Sequence, residues 1–227
     1  MRWRMPEVPM CAPQCCRFAG DGAPDAPRVW ALPIDIGAPF SPPEAARQDA
    51  RSAARAALRA LLAEHFALPV HAITLSDQRG AGVRATLAAG TAPPPGWATL
   101  GLSISHEASV ALVALRTAGP VGVDVAVLPA AWSAHANDVA LRQQAALYLG
   151  PAHPAAQAGA DAACFARGWA AWEARLKCLG EPLMEWSPAL AARLGVCQVA
   201  ALALPAEIAQ RLPAPAAAAV AWRGSVA

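Results

Sequence analysis

The chain has 227 residues, of which 56% are hydrophobic and 15% charged, with a formal net charge of +2. That length supports one large domain or two small ones around a substantial core, and the apolar content excludes disorder throughout. The charge is too small for a dedicated nucleic-acid binder and no apolar run approaches the roughly 20 residues of a membrane span, so neither nucleic acid nor membrane is expected as a partner.

Residues 1–27 are rich in Pro, Gly and Cys without periodicity and read as a poorly ordered leader. Pro6, Pro9 and Pro13 interrupt any signal-peptide core there. The six cysteines, at 11, 15, 16, 164, 178 and 197, form no C-x-x-C spacing in a chain too large to need disulfide staples. They read as reduced thiols of a cytoplasmic protein.

"RVWALPIDI" (28–36) reads as a first strand. "SPPEAARQDARSAARAALRALLAEHF" (41–66) is the clearest helix, with Ser41 as cap, Pro42 and Pro43 in the first turn and Pro69 beyond the end. At ~100° per residue, Arg47, Arg51, Arg55, Leu58, Leu62 and Phe66 share one face. Two readings follow: a core helix with a solvated first half, or a helix whose Arg51 and Arg55 line the mouth of an anion pocket floored by leucines.

Short strands are expected at "HAITL" (71–75), "VRATL" (83–87), "LGLSIS" (100–105), "VALVAL" (110–115) and within "GPVGVDVAVL" (119–128). Helices follow near 137–149 and 161–179, then strands near 194–203 and 216–222. The order of elements predicts an α+β fold of two similar halves, 28–117 and 118–227, with a cleft between them. No repeat of identical residues accompanies it.

Strand alternation in "VGVDVAV" sets the valines on one face and Gly122, Asp124, Ala126 and Leu128 on the other. A buried carboxylate between two small residues calls for a compensating charge, either a base or a metal. In "FARGWAAWEARLKCLG" (165–180), Phe165, Trp169, Trp172, Leu176 and Leu179 form an apolar stripe. Glu173 and Lys177 lie one turn apart on its flank, where a surface salt bridge is the structural alternative. "LSISHE" ends a strand in Ser105 and His106.

"SISHE", "GVDVA" and "WAAWEARLK", in that order, resemble the three signature blocks of the 4'-phosphopantetheinyl transferases of the surfactin-synthetase-activating type. The resemblance takes in the arginine helix and "LPVHAITL" and spans roughly 45–182. It implies a pseudo-two-fold pair of α+β halves. It also implies Mg²⁺-dependent transfer of the phosphopantetheine arm of coenzyme A to a serine of an apo acyl or peptidyl carrier protein, releasing adenosine 3',5'-bisphosphate. Carried over by position, Asp124 and Glu173 hold Mg²⁺, while His106 and Lys177 contact coenzyme A phosphates. Ser105, Arg51 and Arg55 match positions near the nucleotide end. Glu173, with Lys177 and His106 beside it, is then the candidate for the chemical step, in a monomeric enzyme.

Three departures qualify the match. Ala126 replaces the family's usual second acid, Trp172 replaces the Lys before the Glu, and "RGAGVRA" replaces a Gly-Lys-Pro turn, with Arg79 or Arg84 as basic substitutes. Ala126 keeps open a non-catalytic homologue that binds coenzyme A or a carrier protein. An unrelated α+β enzyme or interaction domain is the third reading.

Overall fold

The computed structural model describes residues 13–34, 43–78, 81–107, 109–128, 138–213 and 216–224. Among these are nine strands: β1 (Gln14–Cys15), β2 (Arg28–Pro33), β3 (Ile73–Leu75), β4 (Ala85–Leu87), β5 (Gly101–Glu107), β6 (Val110–Arg116), β7 (Val121–Val127), β8 (Cys197–Ala201) and β9 (Ala216–Arg223). The five α-helices are α1 (Pro43–His65), α2 (Asp138–Tyr148), α3 (Ala162–Leu179), α4 (Pro188–Leu194) and α5 (Ala206–Ala209). No described helix is long and apolar enough to cross a membrane.

The α+β class holds, with three antiparallel sheets ordered β1-β2-β6-β5, β3-β4 and β7-β9-β8. The differing strand orders give no sign of two similar halves. The segment expected as a leader is, from Gln14 on, part of the fold. β1 pairs with β2, Arg17 bridges to Ala203, and Cys16 and Phe18 are buried in the core. Aperiodic sequence concealed this, because two apolar side chains can anchor a segment without a repeating pattern. Residues 1–12, Ser41 and Pro42 lie outside the described residues.

Alternation along β6 explains the layering. Val110, Leu112 and Ala114 face a central core with Val121, Val123 and Val125 of β7, whereas Ala111, Val113 and Leu115 face α1. The two larger sheets therefore pack face to face, and each is backed by a helix. Leu58, Leu61 and Leu62 hold α1 to the first sheet; Ala170, Ala174 and Cys178 hold α3 to the second. A third cluster, with Trp172, Leu176, Leu141 and Leu190, fixes α2 and α4 around α3.

β5 and β7 meet where the sheets meet, and they run parallel. Leu100 bridges Gly119, Val123 N donates to Ser103 Oγ at 3.0 Å, and Val125 N donates to Ser105 Oγ at 3.3 Å. Serine hydroxyls thus satisfy strand amides that a backbone ladder would otherwise pair. Gly101 shares this face; a Cβ there would stand 2.2 Å from the Gly119 carbonyl oxygen. "GLSIS" therefore alternates small or polar residues toward β7 with Leu102 and Ile104 toward the α1 core.

Candidate functional site

α3 places two charged side chains at the seam between the sheets. Asp161 caps its first turn by accepting from Cys164 N at 2.6 Å, and Gly180, at φ 70°, ends it in the left-handed conformation that glycine adopts without a steric penalty. Between these caps the helix lies close on β7: a Cβ on Gly122 would stand 1.9 Å from the Ala174 carbonyl oxygen. That approach brings Glu173 and Lys177 to the neighbouring Asp124.

Asp124 is 3% exposed. Its Oδ1 accepts from Ser105 Oγ at 2.7 Å and from Lys177 Nζ at 2.6 Å, and Lys177 Nζ also reaches Ser105 Oγ at 3.1 Å. Three blocks far apart in sequence thus share one hydrogen-bonded knot. Burial pushes the Asp124 carboxyl upward, and the Lys177 charge pulls against it. Glu173 Oε2 stands 3.9 Å from Lys177 Nζ. Its carboxyl is raised to about 7, first by burial and then by the Asp124 charge, against the opposing pull of Lys177 and a hydrogen bond with Trp169.

A cavity of about 720 Å³ opens over this knot, and Arg51, Arg55, Ser105, His106, Asp124, Glu173 and Lys177 all line it. The seven residues singled out from the sequence therefore face one space. Arg55 is braced at the wall: its Nε donates to the Ser76 carbonyl at 3.1 Å and its guanidinium pairs with Asp77 at 3.1 Å. Arg84 is exposed and does not line the cavity. Arg79 and the Arg47 side chain lie outside the described residues.

Ala126 also lines the cavity, but it is buried in the alanine cluster that seats α3 on the sheet. Trp172 packs among leucines in the α2–α3–α4 cluster, which accounts for an apolar residue at that position. The sequence reading missed Ser103 and Trp169. Ser103 carries the upper half of the β5–β7 seam. Trp169 was assigned to the apolar stripe, yet it stands one turn before Glu173, bonds with it, stacks on Phe165 with centroids 5.5 Å apart, and lines the cavity. The i, i+4 spacing of an indole N–H and a carboxylate was the available signal.

The cavity has a cationic flank at Arg51 and Arg55 and a floor where a cation and two carboxylates alternate. Among the described residues no group of three His, Cys, Asp or Glu side chains gathers to hold a metal ion. Two carboxylates do suit Mg²⁺, which binds through one or two of them and completes its shell with water and substrate phosphate oxygens. Burial first and the Asp124 charge second raise Glu173, and Lys177 already opposes both, so an added cation would share these carboxylates with Lys177. No protein-family model matches the chain, and no curated protein sequence does.

Proposed function

We propose that this chain transfers the 4'-phosphopantetheine arm of coenzyme A to a serine of an apo acyl or peptidyl carrier protein. The observation that carries the reading is the convergence of "SISHE", "GVDVA" and "WAAWEARLK" on one cavity, with Ser105, Asp124 and Lys177 in direct contact. The volume, about 720 Å³, is in the range of cofactor-sized pockets. The finer expectation of a pseudo-two-fold fold with the ligand between its halves belongs to this same proposal.

Arg51 and Arg55 hold the phosphate at the nucleotide end, where Asp77 keeps the Arg55 guanidinium oriented. His106 and Lys177 hold the pyrophosphate. Asp124 and Glu173 would hold Mg²⁺, which when bound neutralises the charge that develops on the departing bisphosphate. Glu173 takes the proton of the attacking serine hydroxyl, being the more exposed of the two carboxylates, with 25% of its side chain accessible against 5% for Asp124. Ser105 keeps Asp124 in place by its 2.7 Å bond and by accepting the Val125 amide.

A second reading, a binding protein without transfer, is favoured by one contact. Lys177 Nζ lies on Asp124 Oδ1 at 2.6 Å and Ala126 supplies no third acid, so the chain neutralises part of its own site. Intact-mass analysis of an apo carrier protein incubated with this chain, coenzyme A and Mg²⁺ separates the two. Addition of one phosphopantetheine group is expected; coenzyme A binding with no mass gain over hours would establish the binding reading.

A further inference from the structure

Of the 18 lysine and arginine residues in the chain, Lys177 is the one lysine. Its surroundings suit a compact charge. An ammonium gives single hydrogens to separate acceptors, whereas a guanidinium is a planar fork suited to paired oxygens. Lys177 Nζ donates to Asp124 Oδ1 at 2.6 Å and to Ser105 Oγ at 3.1 Å, and it forms a looser ion pair with Glu173 at 3.9 Å.

The two hydrogen-bond acceptors are fully used. Asp124 Oδ1 accepts from both Ser105 and Lys177, which fills the two lone-pair directions of one carboxylate oxygen. Ser105 Oγ donates to Asp124 and accepts from Lys177 and the Val125 amide, so its hydrogen and both lone pairs are committed. Lys177 must therefore leave Oδ1 before a divalent ion can take that oxygen. On the other carboxylate oxygen such an ion would stand beside a like charge with little water between, since Asp124 is 3% exposed. Ala126, two residues along the same strand face, adds no carboxylate to offset that repulsion. Departure is open to Lys177: its side chain is 31% exposed and lines the cavity that Arg51 and Arg55 flank.

We propose that Lys177 is the resident cation of the Asp124 site. In the free chain it holds the position at Asp124 that a divalent ion needs, and the ion binds tightly only when an anionic group in the cavity draws the ammonium away. Ion and anion then reinforce each other, because each favours the state in which Lys177 has left Asp124. The inference rests on reading Asp124 and Glu173 as a divalent-cation site, but not on phosphopantetheine transfer, which its test does not involve.

The test titrates Mn²⁺ into the full chain, Lys177→Met and Asp124→Asn, without coenzyme A or carrier protein, and follows the paramagnetic resonance signal of the free ion. Lys177→Met keeps the length of the side chain and removes its charge, so it should bind Mn²⁺ about tenfold or more tightly than the wild type. Asp124→Asn should lose the site. Equal affinity in the wild type and Lys177→Met, or weaker binding in the variant, would overturn the proposal and leave the metal assignment standing. No binding by any form with native circular dichroism would overturn both. A measurement on the wild type keeps the idea exposed even if the variant does not fold. Acetic anhydride can acetylate one lysine side chain in this sequence, and peptide mapping separates that label from the terminal amine. Acetylation of Lys177 should accelerate several-fold as Mn²⁺ is added, because the amine loses its carboxylate partner. A rate that stays flat while the wild type binds Mn²⁺ would also overturn the proposal.

Discussion

The two large sheets are each backed by one helix, but the two helices are seated differently. α1 stands off its sheet on leucines, with Leu58 and Leu62 fully buried against Val113 and Leu115. α3 is drawn down on alanines, and Gly122 removes the last obstacle between its backbone and β7. Leucine packing gives α1 and the first sheet cohesion through apolar area. Alanine packing buries less area but sets α3 close enough for Lys177 to touch Asp124. The catalytic proposal therefore depends on a close backbone approach of α3 to β7 rather than on large apolar side chains between them.

Gly122→Ala tests that contrast with the largest effect. Its Cβ would meet backbone at 1.9 Å and 2.5 Å, at Ala174 and Cys178, and backbone yields only if the helix moves. A loss of about 3 kcal/mol or more is expected, with transfer abolished even in the folded fraction. Leu58→Ala should cost a comparable ~2–5 kcal/mol yet leave kcat nearly unchanged. Denaturant midpoints and transfer rates measured together decide it; equal loss of kcat in both variants would erase the distinction between the helices.

Glu173→Gln keeps shape and a weak oxygen ligand, so coenzyme A binding by calorimetry should persist while single-turnover transfer falls by about 10²–10⁴. Undiminished single-turnover transfer would exclude Glu173 as the base. The same variant carries a pH signature in metal-free protein. The folded carboxyl titrates near 7 and the ordinary glutamate near 4.5, so the folded state retains a proton that the unfolded chain releases between those values. Stability should therefore fall as pH rises from 4.5 to 7, by about 2–3 kcal/mol, and then level off. Melts with a chelator present should show a shallower slope in Glu173→Gln.

Arg55→Ala probes the helix on the other side of the cavity. The phosphates it would meet stay on the leaving group, so KM for coenzyme A should rise about tenfold with kcat unchanged, the mark of uniform binding. A collapse of kcat at saturating coenzyme A would move Arg55 into the chemical step. The smallest effect concerns how the two helices end. α3 ends at Gly180 with φ 70°, but α1 is closed by Ala67 at φ 52°, with Leu68 N bonded to the Ala63 carbonyl at 2.9 Å. Ala67→Gly should stabilise the fold by about 0.5–1 kcal/mol without changing transfer, as read from thermal melts.

Strong periodicity made the principal elements legible. The alternating valines of β7, the apolar run of β6 and the stripe of α3 lie close to where their patterns placed them. α4 and α5, of seven and four residues, are too short to show a period, and α4 occupies the start of the strand expected near 194. β1 has only two residues, and its existence depends on pairing with β2.

At the site, residue types were legible because a buried acid, a Glu–Lys turn and a Ser-His strand end each carry chemistry in their own sequence. Their union was not. Ser105 reaches Asp124 across 19 positions and Lys177 reaches it across 53. Local sequence determined which face of each strand and helix is small, charged or apolar, since side-chain direction follows from a period of 2.0 or 3.6. Tertiary structure decided that β5 and β7 lie parallel and that α3 descends on Gly122. Those outcomes rest on hydroxyl-to-amide bonds and backbone clearances between distant segments, which leave no periodic mark in the chain.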